Sequence, residues 1–309
     1  MRKTKSIIIS VLLILALLVV AGCGGGKGGD AEGPSITVAS KTFTENIILG
    51  EMLVALLEYH GYPVVNEVGL GETAILRPAI ETGEIDVYYE YTGTVLMRQM
   101  QHEPVYESEK AYQIVKEWDL EKNNIVWLDY APANNTYVFM ARPGFSDEFG
   151  INTISELVEY IENNPDKKFK FAMRDEWYER EDGLPRFAEI YGFDVNKVEV
   201  MFVAMGLTED ALKQQQADLG VGFATDGRIS AFGLDVLKDD KNCFPVYNPA
   251  PTIRKEIIDA YPEIPGILNQ LSALLTNEAL MELNMLVDLE GLDAAKVARD
   301  FLQDNGLIK

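Results

Sequence analysis

The stretch Ile36-Thr37-Val38-Ala39-Ser40-Lys41-Thr42-Phe43-Thr44-Glu45 opens the part of the chain that decides its fold. Ile36 to Ala39 reads as a short strand. Thr42 and Glu45 then stand three apart, the spacing of a capping box, in which a hydroxyl and a carboxylate satisfy the orphan N–H groups of a helix start reciprocally. Downstream, Ile48, Leu49, Met52, Leu53, Leu56 and Leu57 recur at helical spacing, and Gly61 followed by Pro63 ends the helix. Val64 to Val68 is a second strand, a helix runs from about Thr73 to Glu81 and stops at Gly83, and Ile85 to Tyr88 is a third strand. This strand–helix alternation implies a parallel sheet covered by helices, an α/β architecture.

The alternation restarts further on. Ile125–Leu128, Thr136–Ala141, Phe169–Met173, Val198–Val203 and Leu219–Phe223 read as strands. A second capping box, Thr153 with Glu156, opens a helix to about Asn163, and shorter helices are expected at Pro185–Tyr191 and near Glu209–Gln216. After Pro265 the chain is mostly helical. Two α/β units with a helical tail imply two lobes and a cleft between them. No internal sequence repeat is visible.

Upstream of this region, Arg2, Lys3 and Lys5 precede an almost wholly apolar run from Ile7 to Ala21, which ends in Val20-Ala21-Gly22-Cys23. About fifteen helical residues span only ~22 Å, short of the ~30 Å hydrocarbon core, so a signal peptide fits better than a spanning helix. The Val-Ala-Gly-Cys ending resembles the lipobox of bacterial lipoproteins. It implies removal of residues 1–22, lipidation of Cys23, and an extracytoplasmic protein anchored to the cell membrane. The alternatives are an uncleaved anchor or a leader cut without lipidation. The glycine-rich run at 24–29 reads as a flexible tether, extending to about residue 34.

The formal charge is −22, and removing Arg2, Lys3 and Lys5 with the leader takes it to about −25. Such acidity argues against nucleic acid or an anionic membrane surface as a partner. Cys23 and Cys243 are the two cysteines. With Cys23 lipidated, Cys243 is a lone thiol and no disulfide is expected. His60 and His102 are the two histidines and lie in different segments, so a zinc site or a Ser-His-Asp triad finds no support. No Gly-Lys-Ser/Thr phosphate loop is present. No cofactor, metal or catalytic residue is expected. Carboxylate neighbours such as Asp175/Glu176 and Glu181/Asp182 allow an extracytoplasmic enzyme to be considered, but adjacent residues rarely converge on one substrate.

Six further motifs carry a resemblance. Ser40 to Asn46 is followed by Gly83 to Tyr88 with Glu90-Tyr91-Thr92-Gly93-Thr94, then by Asn134-Asn135-Thr136-Tyr137 and Arg180-Glu181-Asp182-Gly183. Ala224-Thr225-Asp226-Gly227 and Phe244-Pro245-Val246-Tyr247, with Pro251 and Arg254, complete the order. Across residues 36–305 the chain resembles the substrate-binding proteins of ABC importers for osmoprotectants: glycine betaine, choline, carnitine and related quaternary amines. The resemblance implies a two-lobed periplasmic-binding-protein-like fold of type II with a ligand cleft between lobes. Crossings between lobes are expected near 130–136 and 224–246. That gives lobe 1 as 35–133 plus 245–309 and lobe 2 as 134–244. The implied partners are a quaternary ammonium ligand, ABC permease subunits and the membrane through the lipid anchor, with the protein a monomer.

A trimethylammonium head has no N–H to donate and suits the negative faces of aromatic rings, each contact contributing roughly 0.5–2 kcal/mol. By the resemblance, Tyr91, Tyr137 and Tyr247 fall on the positions of an aromatic cage. The residue before Ala224 is often Tyr in that family and is Phe223 here, which keeps the π-face and loses the phenol oxygen. Lys41, Arg180 and Thr94 match positions that hold a ligand carboxylate, with Arg174 a competitor for the arginine role. Asn135 lies where a polar side chain touches the ligand region. Glu72 departs from the family pattern. It either favours a purely cationic ligand such as choline or simply faces the positive start of a helix. A receptor of the same fold for an amino acid or polyamine is the neighbouring alternative, for which more carboxylates and fewer convergent rings are expected.

Overall fold

The strands of the computed structural model, which describes residues 33–204 and 206–309, form two five-stranded sheets. The leader, Cys23 and most of the tether lie outside the described residues. Along the chain, β1 is Ile36–Ala39, β2 Val64–Glu67, β3 Val87–Tyr91, β4 Ile125–Trp127, β5 Tyr137–Ala141, β6 Lys170–Met173, β7 Glu199–Phe202, β8 Leu219–Phe223, β9 Asp235–Leu237 and β10 Pro249–Arg254. The longer helices are α1 Thr44–Tyr59, α2 Thr73–Thr82, α3 Ser108–Asn123, α4 Ile154–Asn163, α5 Leu184–Tyr191, α6 Thr208–Lys213, α7 Ile264–Ser272, α8 Asn277–Asp288 and α9 Ala294–Asp304.

The first sheet has the order β2-β1-β3-β10-β4 and the second β7-β6-β8-β5-β9. Both follow one plan. Three strands run parallel, with β1 between β2 and β3 and β6 between β7 and β8, and the fourth in each order, β10 or β5, pairs antiparallel with both of its neighbours. The expected parallel alternation is thus present twice, and β10 returns from beyond β9 to complete the first sheet. The chain leaves the first sheet after Trp127 and comes back to it at Pro249. The architecture is α/β with two lobes.

Helix α1 shows why an apolar helix is needed next to β1. Its buried residues include Ile48, Leu49, Met52, Leu53, Leu56 and Leu57. It packs against β1 and β3, and also against α8 and α9 of the C-terminal tail. A helix covered on several sides is apolar around most of its circumference. The tail helices therefore close the first core, which includes Leu268, Leu271, Leu280, Val297 and Leu302. The second core is aromatic, built on Phe139, Phe169, Phe171, Trp177 and Phe187, all fully buried.

The two capping boxes behave differently. At α4 the box forms as read: Thr153 accepts from the Glu156 N–H, and the Thr153 N–H donates to the Glu156 carboxylate. At α1 it does not. The helix starts at Thr44, Phe43 occupies the N-cap, and no side chain caps it. Glu45 turns into the protein interior, 3% exposed, where four side chains donate to its carboxylate. Those donors satisfy a buried charge better than one backbone N–H at a solvent-facing helix start.

Candidate functional site

In both sheets the loops at the C-terminal ends of the parallel strands carry the candidate residues, the position where open α/β sheets bind ligands. Lys41 follows β1, Tyr91 ends β3 with Thr94 in the helical turn after it, Arg174 follows β6, and Phe223 ends β8. Tyr137 opens β5 directly opposite Phe223, and Tyr247 precedes β10, whose Pro249 lies opposite Tyr91. Asn135 and Arg180 complete the set from the connecting segments. All eight residues expected from the sequence (Lys41, Tyr91, Thr94, Asn135, Tyr137, Arg180, Phe223 and Tyr247) line one cavity. Glu72 and Arg174, the two uncertain positions, line it as well.

The rings form a continuous series. Tyr137 stacks on Phe223 at 5.4 Å between centroids and meets Tyr247 edge-on at 5.5 Å. Phe43 links the other side, stacked on Phe223 at 5.7 Å and tilted toward Tyr91 at 6.0 Å. Phe43 was not among the expected residues. Its signal was adjacency to Lys41 in the opening stretch, at a position read only as part of a helix start. The space enclosed here is small, about 30 Å³. Protein cations stand over three of the rings: Lys41 Nζ 5.1 Å from Tyr91, Arg174 Cζ 5.1 Å from Phe223 and Arg180 Cζ 6.0 Å from Tyr137. These faces are occupied by positive charge, which suits their negative π-systems.

Tight packing fixes the ring positions. Gly93 is required beside Tyr247, since a Cβ there would lie 2.6 Å from the ring. Burial first, then the Asp182 charge, pushes the Tyr247 phenol well above its ordinary value. Burial does the same for Tyr91, reinforced by Glu45, and it raises Tyr137. All three phenols stay neutral at physiological pH. Tyr91 donates to Glu45 Oε1 at 2.7 Å and Tyr247 donates to Asp182 Oδ2 at 2.8 Å.

The two cations expected to hold a carboxylate are themselves held. Lys41 Nζ donates to the fully buried Glu90 at 2.6 Å, using one of its three donors. Arg180 makes a two-pronged pair with Asp182, at 2.8 and 2.6 Å, and reaches Glu176 at 3.3 Å. Burial opposes the Asp182 charge, but the Arg180 fork and the Tyr247 hydroxyl prevail and hold its carboxyl below the usual range. Asp182 is thus a partner that orients Arg180 and Tyr247. Arg174 pairs with Glu176 at 3.2 Å. Glu72 occupies the N-cap of α2, takes a hydrogen bond from the Thr42 hydroxyl and faces the cavity, so helix start and cavity wall coincide.

Glu45 was missed for a specific reason: its spacing from Thr42 assigned it to a cap. In the structure it joins distant segments. Tyr91 and Asn135 donate to Oε1, and Thr225 and Asn284 donate to Oε2. Burial pushes its carboxyl upward against the pull of these four bonds. Cys243 is fully buried, and burial pushes its thiol up to about 12, consistent with an inert side chain.

Two lobes on one topology, with a lined cavity at the strand ends, define a solute-binding protein of the bilobal type. Residues 34–304 match the family model described as the substrate binding domain of ABC-type glycine betaine transport system, and the chain belongs to that family. It is 36% identical to the glycine betaine-binding protein YehZ of Escherichia coli over 89% of this chain and 92% of that one. Identity to the carnitine transport binding protein OpuCC of Listeria monocytogenes is 32%, over 99% and 98%. Among solved structures, one described as a glycine betaine/carnitine/choline ABC transporter is 29% identical with a TM-score of 0.72, covering 89% of this chain and 100% of that chain.

Proposed function

We propose that this protein is an extracytoplasmic receptor that captures a quaternary ammonium osmolyte of the glycine betaine, choline or carnitine type and passes it to an ABC permease. The observation that carries this is the series Tyr91, Phe43, Phe223, Tyr137 and Tyr247 around one cavity at the strand ends of both sheets. Aromatic faces are the surfaces that suit a charged head with no donor. In this reading the ligand's head displaces the protein cations from the ring faces. Lys41, Thr94 and Arg180 then meet its oxygen-bearing end, with Glu90 and Asp182 orienting the two cations and Asn135 bordering the site.

The division into lobe 1 (35–133 plus 245–309) and lobe 2 (134–244) fits this capture, because rings from both sides meet only when the lobes are closed. A ligand touching both sides then favours closure through its differential contacts. Removal of residues 1–22 and lipidation at Cys23 would keep the receptor beside its permease. Intact mass of the membrane fraction tests the anchor, and an unmodified Cys23 would refute it. Calorimetric titration of residues 24–309 with glycine betaine, choline and carnitine tests the function. Saturable heat with at least one is expected, and none up to millimolar concentration would sink the proposal.

A further inference from the structure

Glu45 and Thr225 line none of the ring cavity. They stand in the wall of a second, larger cavity of about 270 Å³ beside it, which also carries Glu209, Asp226 and Asp288. Their bond to each other has a particular place in the fold. Glu45 lies in the first turn of α1, the helix packed on β1 and β3 of the first sheet. Thr225 lies two residues beyond Phe223, the ring that ends β8 of the second sheet. The Thr225 hydroxyl donates to Glu45 Oε2, and the Tyr91 hydroxyl donates to Oε1 at 2.7 Å. One carboxylate thus joins a ring of the first sheet to the backbone just past a ring of the second.

The loop after β8 makes further contacts with the first sheet's side. Asn284 of α8, a helix packed on α1, donates from Nδ2 to the Thr225 carbonyl at 3.0 Å. Gly227 sits so close to Met281 and Met285 of α8 that a Cβ would not fit. Arg228 Nη2 lies 3.7 Å from Asp288 at the end of the same helix. Among these contacts the Glu45 bond is the one tied directly to a ring. Glu45 is 3% exposed, and a carboxylate so buried depends on every donor it has. Tyr91 and Asn284 reach it from the first sheet's side, and Asn135 from the segment between β4 and β5. Thr225 is the donor that the second sheet brings and, on parting from the first, takes away.

We infer that Glu45 is a positioning residue that clasps the two sheets as the cleft closes, with Thr225 as its partner, and so sets the Tyr91 and Phe223 rings in place together. The inference rests on the quaternary-amine reading above and deepens it. A bond inside one lobe stabilises the fold equally with and without ligand. A bond between the sheets stabilises the closed state alone, and apparent affinity scales with the fraction of molecules able to close. Both residues therefore tune affinity without touching the ligand.

The test titrates residues 24–309 by calorimetry with whichever of glycine betaine, choline and carnitine the unmodified chain binds. Thr225→Val keeps the shape and removes the hydroxyl. It is expected to weaken binding about tenfold, the effect of one charge-assisted hydrogen bond, with the ligand-free urea midpoint little changed. Thr225→Ser restores the hydroxyl and should recover most of the loss. In the double variant with Glu45→Gln the loss should not exceed the larger single loss, because both remove the same bond. Unchanged affinity in Thr225→Val, no recovery in Thr225→Ser, or losses that multiply would each overturn the inference and leave the ring cavity's role standing. An equal loss of ligand-free stability in Thr225→Val would mark a merely structural bond and overturn it as well. Silence of the unmodified chain toward all three amines would remove the quaternary-amine reading, and the inference with it. The Thr225 pair decides the matter even if Glu45→Gln fails to fold.

Discussion

Strands β3 and β8 occupy equivalent places, each the third parallel strand of its sheet, and each ends in a ring of the same cavity. They hold that ring in different ways. β3 ends Glu90-Tyr91 and is buried throughout. Glu90 takes bonds from Lys41, Tyr88 and the Tyr91 N–H, and the Tyr91 hydroxyl is tied to Glu45. β8 ends Gly222-Phe223, and its ring is held by stacking on Phe43 and Tyr137 with Arg174 over its face. One topology thus supports a ring fixed by directional bonds and one fixed by packing. The first resists rotation, because turning it would leave a buried carboxylate short of a donor. The second has no polar atom to leave unpartnered if it shifts.

The sharpest way to break this comparison is to remove the rings in turn. Tyr91→Ala is expected to cost about 3–5 kcal/mol of stability by urea unfolding, since it opens a cavity and strips a donor from Glu45. Among variants still folded, Tyr91→Ala and Tyr247→Ala should each weaken quaternary-amine binding about tenfold or more by calorimetry. Unchanged affinity in both would refute the cage.

A second test separates the sides by pH. Burial, with Asp226 next, pushes the Glu209 carboxyl up to about 7, and burial also raises Glu45. A raised folded-state value means that the native protein holds a proton the unfolded chain releases. Stability is therefore highest below about pH 4.5 for these groups and falls as pH rises toward 7, by of order 2–3 kcal/mol for Glu209. Asp182 has the opposite sign: its contribution is present above its unfolded value and lost as pH falls through the lower folded one. Urea midpoints across pH 4.5–8 should decline in the unmodified chain and decline less in Glu209→Gln. Identical slopes would show that Glu209 is not the titrating group.

Smaller effects sharpen the picture. Gly227 follows β8, and a Cβ there would lie 2.1 Å from Met285 Cγ and 2.7 Å from the Met281 carbonyl of α8. Gly227→Ala should hold the loop off α8 and lower affinity several-fold, with a larger radius of gyration by small-angle scattering when ligand is present. Smallest is Phe223→Tyr. It adds a hydroxyl to the ring held by packing and should change affinity no more than a few-fold, with stability within about 0.5 kcal/mol. A large loss in either quantity would show that this ring is as tightly fixed as Tyr91.

Much of the fold was legible because strand and helix periods alternate cleanly. Thr73 to Gly83, the box at Thr153 and Glu156, and Leu219 to Phe223 appear where apolar spacing and glycine stops placed them. The candidate residues were legible to the extent that motifs carried them, and the eight line one cavity. What stayed hidden was partnership. Glu90 and Asp182 sat inside quoted motifs without a role, Glu45 was assigned to a cap, and Phe43 was passed over.

The sequence by itself determined the alternation of strands and helices, the absence of metal-ligand spacing, and the types of side chain available to a cationic solute. These follow from local periodicity and composition. Tertiary structure alone decided which carboxylate answers which cation, that the Glu45 side chain turns inward from the first turn of its helix, and that a second, acidic cavity lies beside the Phe43–Phe223 pair. The physical reason is that burial, not spacing, sets the cost of a charge. A carboxylate's role is fixed only when residues 46, 90, 180 and 239 positions away, as for Glu45, supply the donors it needs.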